Sequence, residues 1–234
     1  MSAPTVIFDL DGTLVDTAPD LVATLNVVLG RAGLSALPFA AARNMVGGGA
    51  RALIERGLAA EGRSLEAGDL DRLYREFIAH YTAHIADRSR PFPGVEAALS
   101  ELARRGCRLA VCTNKLEGLS IKLLDAFGLT ARFAAICGAD TFAVAKPNPA
   151  ILHGTVARAG GELARAVMVG DSATDIAVAR AAGIAVIAVD FGYSDTPVAE
   201  LGPDRVVASF AAVPEAVFAL LAAQKVEFPQ KVNR

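Results

Sequence analysis

Four short segments of this 234-residue chain carry side chains that can act together on a phosphoryl group. Asp9-Leu-Asp-Gly-Thr13 supplies two carboxylates two residues apart, Thr113 and Asn114 a hydroxyl and an amide, Lys146 an ammonium, and Asp171 and Asp175 two further carboxylates. A carboxylate can serve as a nucleophile and form an aspartyl-phosphate. Magnesium takes oxygen ligands in an octahedron, usually one or two carboxylates with the remainder from water and substrate phosphate; Asp9 and Asp171 can supply those carboxylates. The transferring group spreads negative charge over its equatorial oxygens, where a cation, a hydroxyl and backbone N–H groups are useful. Lys146, Thr113 and the Asp11-Gly12-Thr13 turn are groups of those kinds. Asp11, two residues past Asp9, is close enough to protonate a leaving oxygen and later to deprotonate water.

These residues need elements that bring them to one edge. Thr5 to Leu10 is an apolar run that stops at the first carboxylates, as a buried parallel strand does when it enters a polar turn. Similar runs recur at Arg108 to Thr113, Phe133 to Cys137, Ala166 to Gly170 and Ile184 to Asp190. Amphipathic stretches lie between them: Gly94 to Arg105, Leu119 to Phe127 and Asn148 to Ala159. The alternation predicts an α/β fold, a Rossmann-like, doubly wound parallel sheet with helices on both faces. In such a sheet, ligands bind beyond the carboxyl ends of the strands, and the polar residues follow four consecutive strands there. From about Pro19 to Arg90 only helical patterns occur (Leu21 to Ala32, Ala50 to Ala60, Leu70 to Ala86), which predicts a small α-helical cap inserted after the first strand. Pro91-Phe-Pro-Gly94 reads as the return linker, stiffened by proline and turned at glycine. The expected division is a core of residues 1–16 and 91–234 and a cap of residues 17–90. The polar tail from about Gln224 is expected to fray.

Composition narrows the partners. The chain is 53% hydrophobic and 21% charged, enough for a sizeable core. A formal net charge of -2 with scattered basic residues lacks the footprint of a nucleic-acid binder. Cys107, Cys112 and Cys137 are odd in number, lack CxxC spacing and lie in or beside apolar runs, as reduced core cysteines of a cytoplasmic protein would. No charged-then-apolar leader precedes the first strand, and no apolar stretch reaches the roughly 18 residues a membrane span needs. The expected partner is a small phosphorylated molecule, with no nucleic acid and no membrane, acted on by a monomer or homodimer.

Taken in order, Asp9-Leu-Asp-Gly-Thr13, Cys112-Thr-Asn-Lys115, Lys146-Pro147 and Gly170-Asp-Ser-Ala-Thr-Asp175 resemble the motifs of the haloacid dehalogenase superfamily of phosphatases over almost the whole chain. The resemblance implies that Asp9 is nucleophile and metal ligand, and that Asp11 is acid and base and offers its main-chain carbonyl to Mg2+. It implies that Asp171 is a metal ligand, that Asp175 orders the metal site, and that Thr113, Asn114 and Lys146 hold the phosphoryl group. Within the superfamily the sequence is most similar to phosphoglycolate phosphatases, through Phe8 to Asp20, Val46-Gly-Gly-Gly-Ala-Arg51, Thr113-Asn-Lys115 and Phe191-Gly-Tyr193, a pattern that phosphatases for other small phosphates, including sugar phosphates and nucleotides, largely share.

Other features have plainer readings beside the functional one. Gly170-Asp-Ser172 is also a good helix cap, which is compatible with metal binding. Gly47-Gly48-Gly49 either breaks two cap helices or, with Arg51 or Arg43, offers N–H groups to a second anionic end of the substrate, such as a carboxylate. Lys115 either reaches the substrate or faces water. His80 and His84 have metal-binding spacing without a third ligand, and His153 is not expected to bind metal. Among rivals, a dehalogenase has no use for Asp11, since halide leaves without a proton. A phosphomutase fits the same motifs, and a non-catalytic binding module would not need all of Asp9, Asp11, Lys146 and Asp171.

Overall fold

The first apolar run becomes β1 (Thr5–Phe8), buried at every residue. In the computed structural model, which describes residues 2–227, it is followed by β2 (Val15–Asp16), α1 (Ala18–Arg31), α2 (Phe39–Ala42), α3 (Ala50–Ala60), α4 (Ala67–Ala83) and β3 (Arg90–Pro91). Then come α5 (Val95–Arg104), β4 (Arg108–Cys112), α6 (Glu117–Ala126), β5 (Ala135–Cys137), α7 (Ala150–Arg158), β6 (Ala166–Gly170), α8 (Ala173–Ala182), β7 (Ala185–Val189), β8 (Arg205–Val207) and α9 (Val213–Glu227). The main sheet has six strands in the order β5-β4-β1-β6-β7-β8, and all its ladders are parallel.

Successive strand residues point to opposite faces, so a sheet covered on both sides needs apolar side chains at every position. On β1, Val6 and Phe8 join one core with Val111, Val169, Phe210 and Val217, while Ile7 joins a second with Ala110, Cys112, Met168 and Val186. This is the doubly wound α/β arrangement the alternating pattern predicts. The three cysteines are free and buried. Among the described residues, no helix is long and apolar enough to cross a membrane.

Several boundaries differ from the sequence reading for local reasons. Phe133 and Ala134 lie outside β5 and link it to a 3-10 turn over Thr130–Arg132. A sixth strand, β8, was not anticipated: it is an edge strand of three residues with only Val207 buried, so it shows no continuous apolar run. Helix α1 begins ahead of Leu21, with Pro19 in its first turn, where a missing N–H costs nothing. The tail expected to fray from Gln224 continues as helix to Glu227; residues 228–234 lie outside those described.

The helices α1 to α4 leave and return through one narrow place. There β2 and β3 pair antiparallel, Val15 opposite Pro91 and Asp16 opposite Arg90. Just inside this pair, Asp20 is 3% exposed, and its carboxylate accepts hydrogen bonds from the N–H groups of Arg88 (3.0 Å) and Ser89 (2.8 Å) and from Ser89 Oγ (2.6 Å). One carboxylate thus fastens the outgoing helix to the returning chain. Replacing it leaves buried donors without a partner, which costs far more than the net value of the bonds themselves. Asp20→Ala is expected to lower unfolding free energy by about 3 kcal/mol in chemical denaturation; a loss too small to resolve would show that the return segment is held elsewhere.

Candidate active site

The site sits where β1 stands between β4 and β6, the point from which the strand order runs outward both ways. The N–H of Asp9 extends the β1–β6 ladder to Val169 O at 2.9 Å, and that of Thr113 extends β4–β5 to Cys137 O at 3.0 Å. The ladders thereby fix the direction in which the next side chains leave the sheet. Asp9, Asp11, Thr113, Lys146, Asp171 and Asp175 are all buried at this edge.

Lys146 arrives on the loop between β5 and α7. Its Nζ lies 2.9 Å from Asp9 Oδ1 and 2.6 Å from Asp175 Oδ1. Asn114 aims it through the main chain, accepting from Lys146 N at 3.0 Å and donating to Lys146 O at 3.2 Å. The amide predicted to touch the phosphoryl group thus has both ends engaged by the lysine's own backbone. Thr113 Oγ1 accepts from Lys115 N at 3.2 Å and keeps its proton to donate. Asp175 divides its oxygens: Oδ1 meets Lys146, while Oδ2 accepts from Asp171 N, Ser172 N and Ser172 Oγ. Ser172 and Asp175 form a capping box at the start of α8. The helix cap and the site are one network.

Asp171 is oriented from two sides, by Thr13 Oγ1 donating to Oδ1 at 2.9 Å and Tyr193 N donating to Oδ2 at 2.8 Å. Glycines let the chain come this close. A Cβ at Gly12 would stand 2.3 Å from Asp171 Oδ2, and one at Gly192 would stand 2.2 Å from Asp171 Cβ. Gly12 also has φ +87°, a conformation that glycine adopts without strain.

The electrostatics of this cluster ask for a cation. Ligand atoms of Asp9, Asp171 and Asp175 lie within 4.8 Å of one another, the one such group among the described residues, and Lys146 pairs with two of them, Asp9 and Asp175. Burial, then Asp175, pushes Asp9 up to about 7; burial, then Asp175 and Asp9, raises Asp171 well above the usual carboxylate range. Asp9 Oδ1 is buried with no hydrogen-bond donor aligned on it, because Lys146 meets it as an ion pair off the bonding direction. A hard divalent ion with oxygen preference fits this donor set.

Asp11 lies a step away, 9% exposed, with Oδ1 accepting from Thr17 Oγ1 at 2.7 Å and paired with Lys115 Nζ at 3.0 Å. Lys115, left open by the sequence, is therefore buried; its ammonium lies 4.5 Å from the Tyr81 ring centroid. Burial alone would pull its pKa down, but Asp11 and Tyr81 outweigh that and hold it above its ordinary value. Asp11 and Lys115 open onto a cavity of about 300 Å³, closed from the other side by Gly47–Gly49, Tyr74, Phe77 and Tyr81. Gly48 and Arg51 both line it, but the Arg51 guanidinium is half-exposed and paired with Asp71 at 2.5 Å. Arg43 turns instead to the loop after β7, donating to Phe191 O at 3.0 Å. His80 Nδ1 is 3.2 Å from Thr24 Oγ1, and His84 pairs with Asp87.

Sequence reasoning passed over Thr17, and it named Thr13 and Tyr193 only within the Asp11-Gly12-Thr13 turn and the Phe191-Gly-Tyr193 segment, not as partners of Asp171. For Thr13 the signal was present, a hydroxyl two residues after Asp11. For Tyr193 no side-chain signal pointed to Asp171, since what it gives that residue is a backbone N–H.

Known proteins resemble this chain along most of its length. A family model described as haloacid dehalogenase-like hydrolase matches residues 6–189. A phosphoglycolate phosphatase of Mesorhizobium japonicum is 52% identical over 91% of this chain and 94% of its own length. One of Caulobacter vibrioides is 51% identical, over 94% and 93% respectively. The crystal structure of a predicted phosphoglycolate phosphatase from Haemophilus somnus 129PT has a TM-score of 0.86 at 30% identity, covering 92% of this chain and 98% of that one. With its motifs gathered at one sheet edge and its likeness to these proteins extending over nearly the whole length, the chain belongs to the haloacid dehalogenase-like hydrolase family.

Proposed function

We propose that this chain is a magnesium-dependent phosphatase that hydrolyses 2-phosphoglycolate to glycolate and phosphate through an aspartyl-phosphate on Asp9. The observation that carries the reaction class is the buried Asp9 carboxylate, set between Lys146 and two further carboxylates at the switch point of the sheet. The substrate follows from the names of the relatives and from the cavity, which adds a buried ammonium, Lys115, and the Gly47–Gly49 turn to mostly apolar walls. A two-carbon acid with a phosphate at one end and a carboxylate at the other suits it.

In the first half-reaction an Asp9 carboxylate oxygen bonds to phosphorus while the ester oxygen leaves with the bonding pair and takes a proton from Asp11. In the second, Asp11 takes a proton from water, whose oxygen bonds to phosphorus and returns Asp9 as a carboxylate. Lys146 balances charge beside Asp9, and Thr113 donates to the phosphoryl oxygens. Asp9, Asp171 and the Asp11 carbonyl would hold Mg2+, which supplies charge neutralisation for the phosphoryl group, with Asp175 fixing the loop that carries Asp171. The helical segment, residues 17–90, acts as a cap that excludes bulk water and selects the substrate over a core of residues 1–16 and 91–234. The free cysteines suit a cytoplasmic protein.

Phosphate release from 2-phosphoglycolate, compared with sugar phosphates, nucleotides and pyrophosphate, tests the substrate. Phosphoglycolate is expected to lead by about 10-fold or more in kcat/KM, roughly 1.4 kcal/mol of transition-state preference. Another compound in the lead would leave the chemistry at Asp9 intact and remove the reading of the cavity.

The metal has a thermodynamic test. A carboxyl group whose pKa is higher in the folded than in the unfolded state stabilises the fold below its unfolded value, and that contribution is lost as pH rises through the folded one. For Asp9 those values are 3.8 and about 7. In chelator the contribution therefore declines across that window, and Mg2+, which replaces the protons, restores it. Magnesium is expected to raise the melting temperature more at about pH 8 than at about pH 5. An equal shift at both, or none, would count against a metal bound by Asp9.

A further inference from the structure

The loop Phe191–Tyr193, after β7, touches the Asp171 carboxylate without contributing a reactive side chain. It presses on Asp171: besides the N–H of Tyr193 on Oδ2, it has glycine at 192, where a Cβ would stand 2.3 Å from that same oxygen. The direction of the Asp171 carboxylate is therefore only as well fixed as the loop is.

What fixes the loop comes largely from the helical segment and its two connections. Tyr193 is 3% exposed, and its hydroxyl donates to Asp16 Oδ1 at 2.5 Å and accepts from Ala18 N at 3.0 Å. Asp16 is on β2 and Ala18 opens α1, so both mark where the chain departs for that segment. From within the segment, Arg43 donates to Phe191 O, and its guanidinium carbon lies 4.8 Å from the centroid of the Tyr193 ring. Where the chain returns, the ring of Phe92 lies 4.8 Å from that of Phe191; the core adds Phe210 at 5.9 Å. Phe191–Tyr193 thus joins the placement of the helical segment to a carboxylate at the reaction centre.

We propose that Tyr193 is a positioning residue for Asp171 and that Arg43 works through it, so that the seating of the helical segment sets the aim of the Asp171 carboxylate and with it the affinity for Mg2+. The inference rests on the metal site proposed above. It differs from a purely mechanical role, in which the same contacts only hold the helical segment to the sheet. A mechanical fastening changes stability; a positioning role also changes metal binding in the absence of substrate, because an oriented ligand loses its outer partner.

Calorimetric titration of the full chain with Mg2+, without substrate, separates the two. Arg43→Met keeps the length of the side chain and removes the guanidinium; Tyr193→Phe removes only the hydroxyl. Each is expected to weaken Mg2+ binding by about 10-fold, and the double variant to bind little worse than the weaker single, since both act through one loop. Arg56→Met is the control: its guanidinium donates to Met45 O at 2.7 Å, within the helical segment, and the variant is expected to bind Mg2+ as the wild type does. Wild-type affinity in Arg43→Met and Tyr193→Phe, even with lowered melting temperatures, would overturn the proposal, and so would equal weakening in Arg56→Met. If Tyr193→Phe does not fold, the half-buried Arg43 decides alone. If the wild type itself binds no Mg2+, the metal reading falls and takes this inference with it.

Discussion

One buried ammonium surrounded by carboxylates is the constraint on which the site depends. Lys146 stands between Asp9 and Asp175 at 2.9 and 2.6 Å, with Asp171 also close. Carboxylates this close in a low-dielectric edge repel strongly, and taking ions from water costs several kcal/mol each unless partners offset it. The surrounding structure holds them there regardless. Asp175 is tied into the cap of α8, Lys146 is gripped at its backbone by Asn114, and Asp171 accepts from Thr13 and Tyr193. The raised pKa values of Asp9 and Asp171 express this residual tension. A cation and a phosphoryl group are the natural means of using it: the first stabilises the ionised carboxylates, the second receives the attack of one of them.

The second ion pair, Lys115 with Asp11, lies on the cavity side and has a different character. It neutralises the group proposed as acid and base with a residue that also faces the proposed substrate. Lys115 is held by Asp11 and the Tyr81 face, and Tyr81 lies on α4. Chemistry at the sheet edge and the packing of the helical segment are therefore continuous. Gly49 shows the same closeness, since a Cβ there would lie 3.1 Å from Asn114 O.

What the sequence disclosed follows from range. β1, β4 and β6 were legible because buried parallel strands need unbroken apolar runs, and the polar residues of the site mark where those runs end. Helix α3 was read to its ends because Gly47–Gly49 punctuates the chain before it. The edge strand β8 was not, since only one of its residues is buried, and the β2–β3 pair is too short to carry a pattern. Within the site, Asp9, Asp11, Lys146 and Asp171 could be named from type and position. The burial of Lys115 could not, because it depends on Asp11 and Tyr81, distant in sequence. Nor could the commitment of Asn114 to the Lys146 backbone or of Arg51 to Asp71, which only the folded chain brings together.

The central claim is that Asp9 becomes phosphorylated, and it can be examined by rapid acid quench with substrate carrying labelled phosphate. The account predicts a transient label on the protein, cleaved by hydroxylamine as an acyl phosphate is, located on the peptide containing Asp9 and missing from Asp9→Asn. Steady turnover with no protein-bound label on the millisecond scale, or a label on another residue, would contradict it.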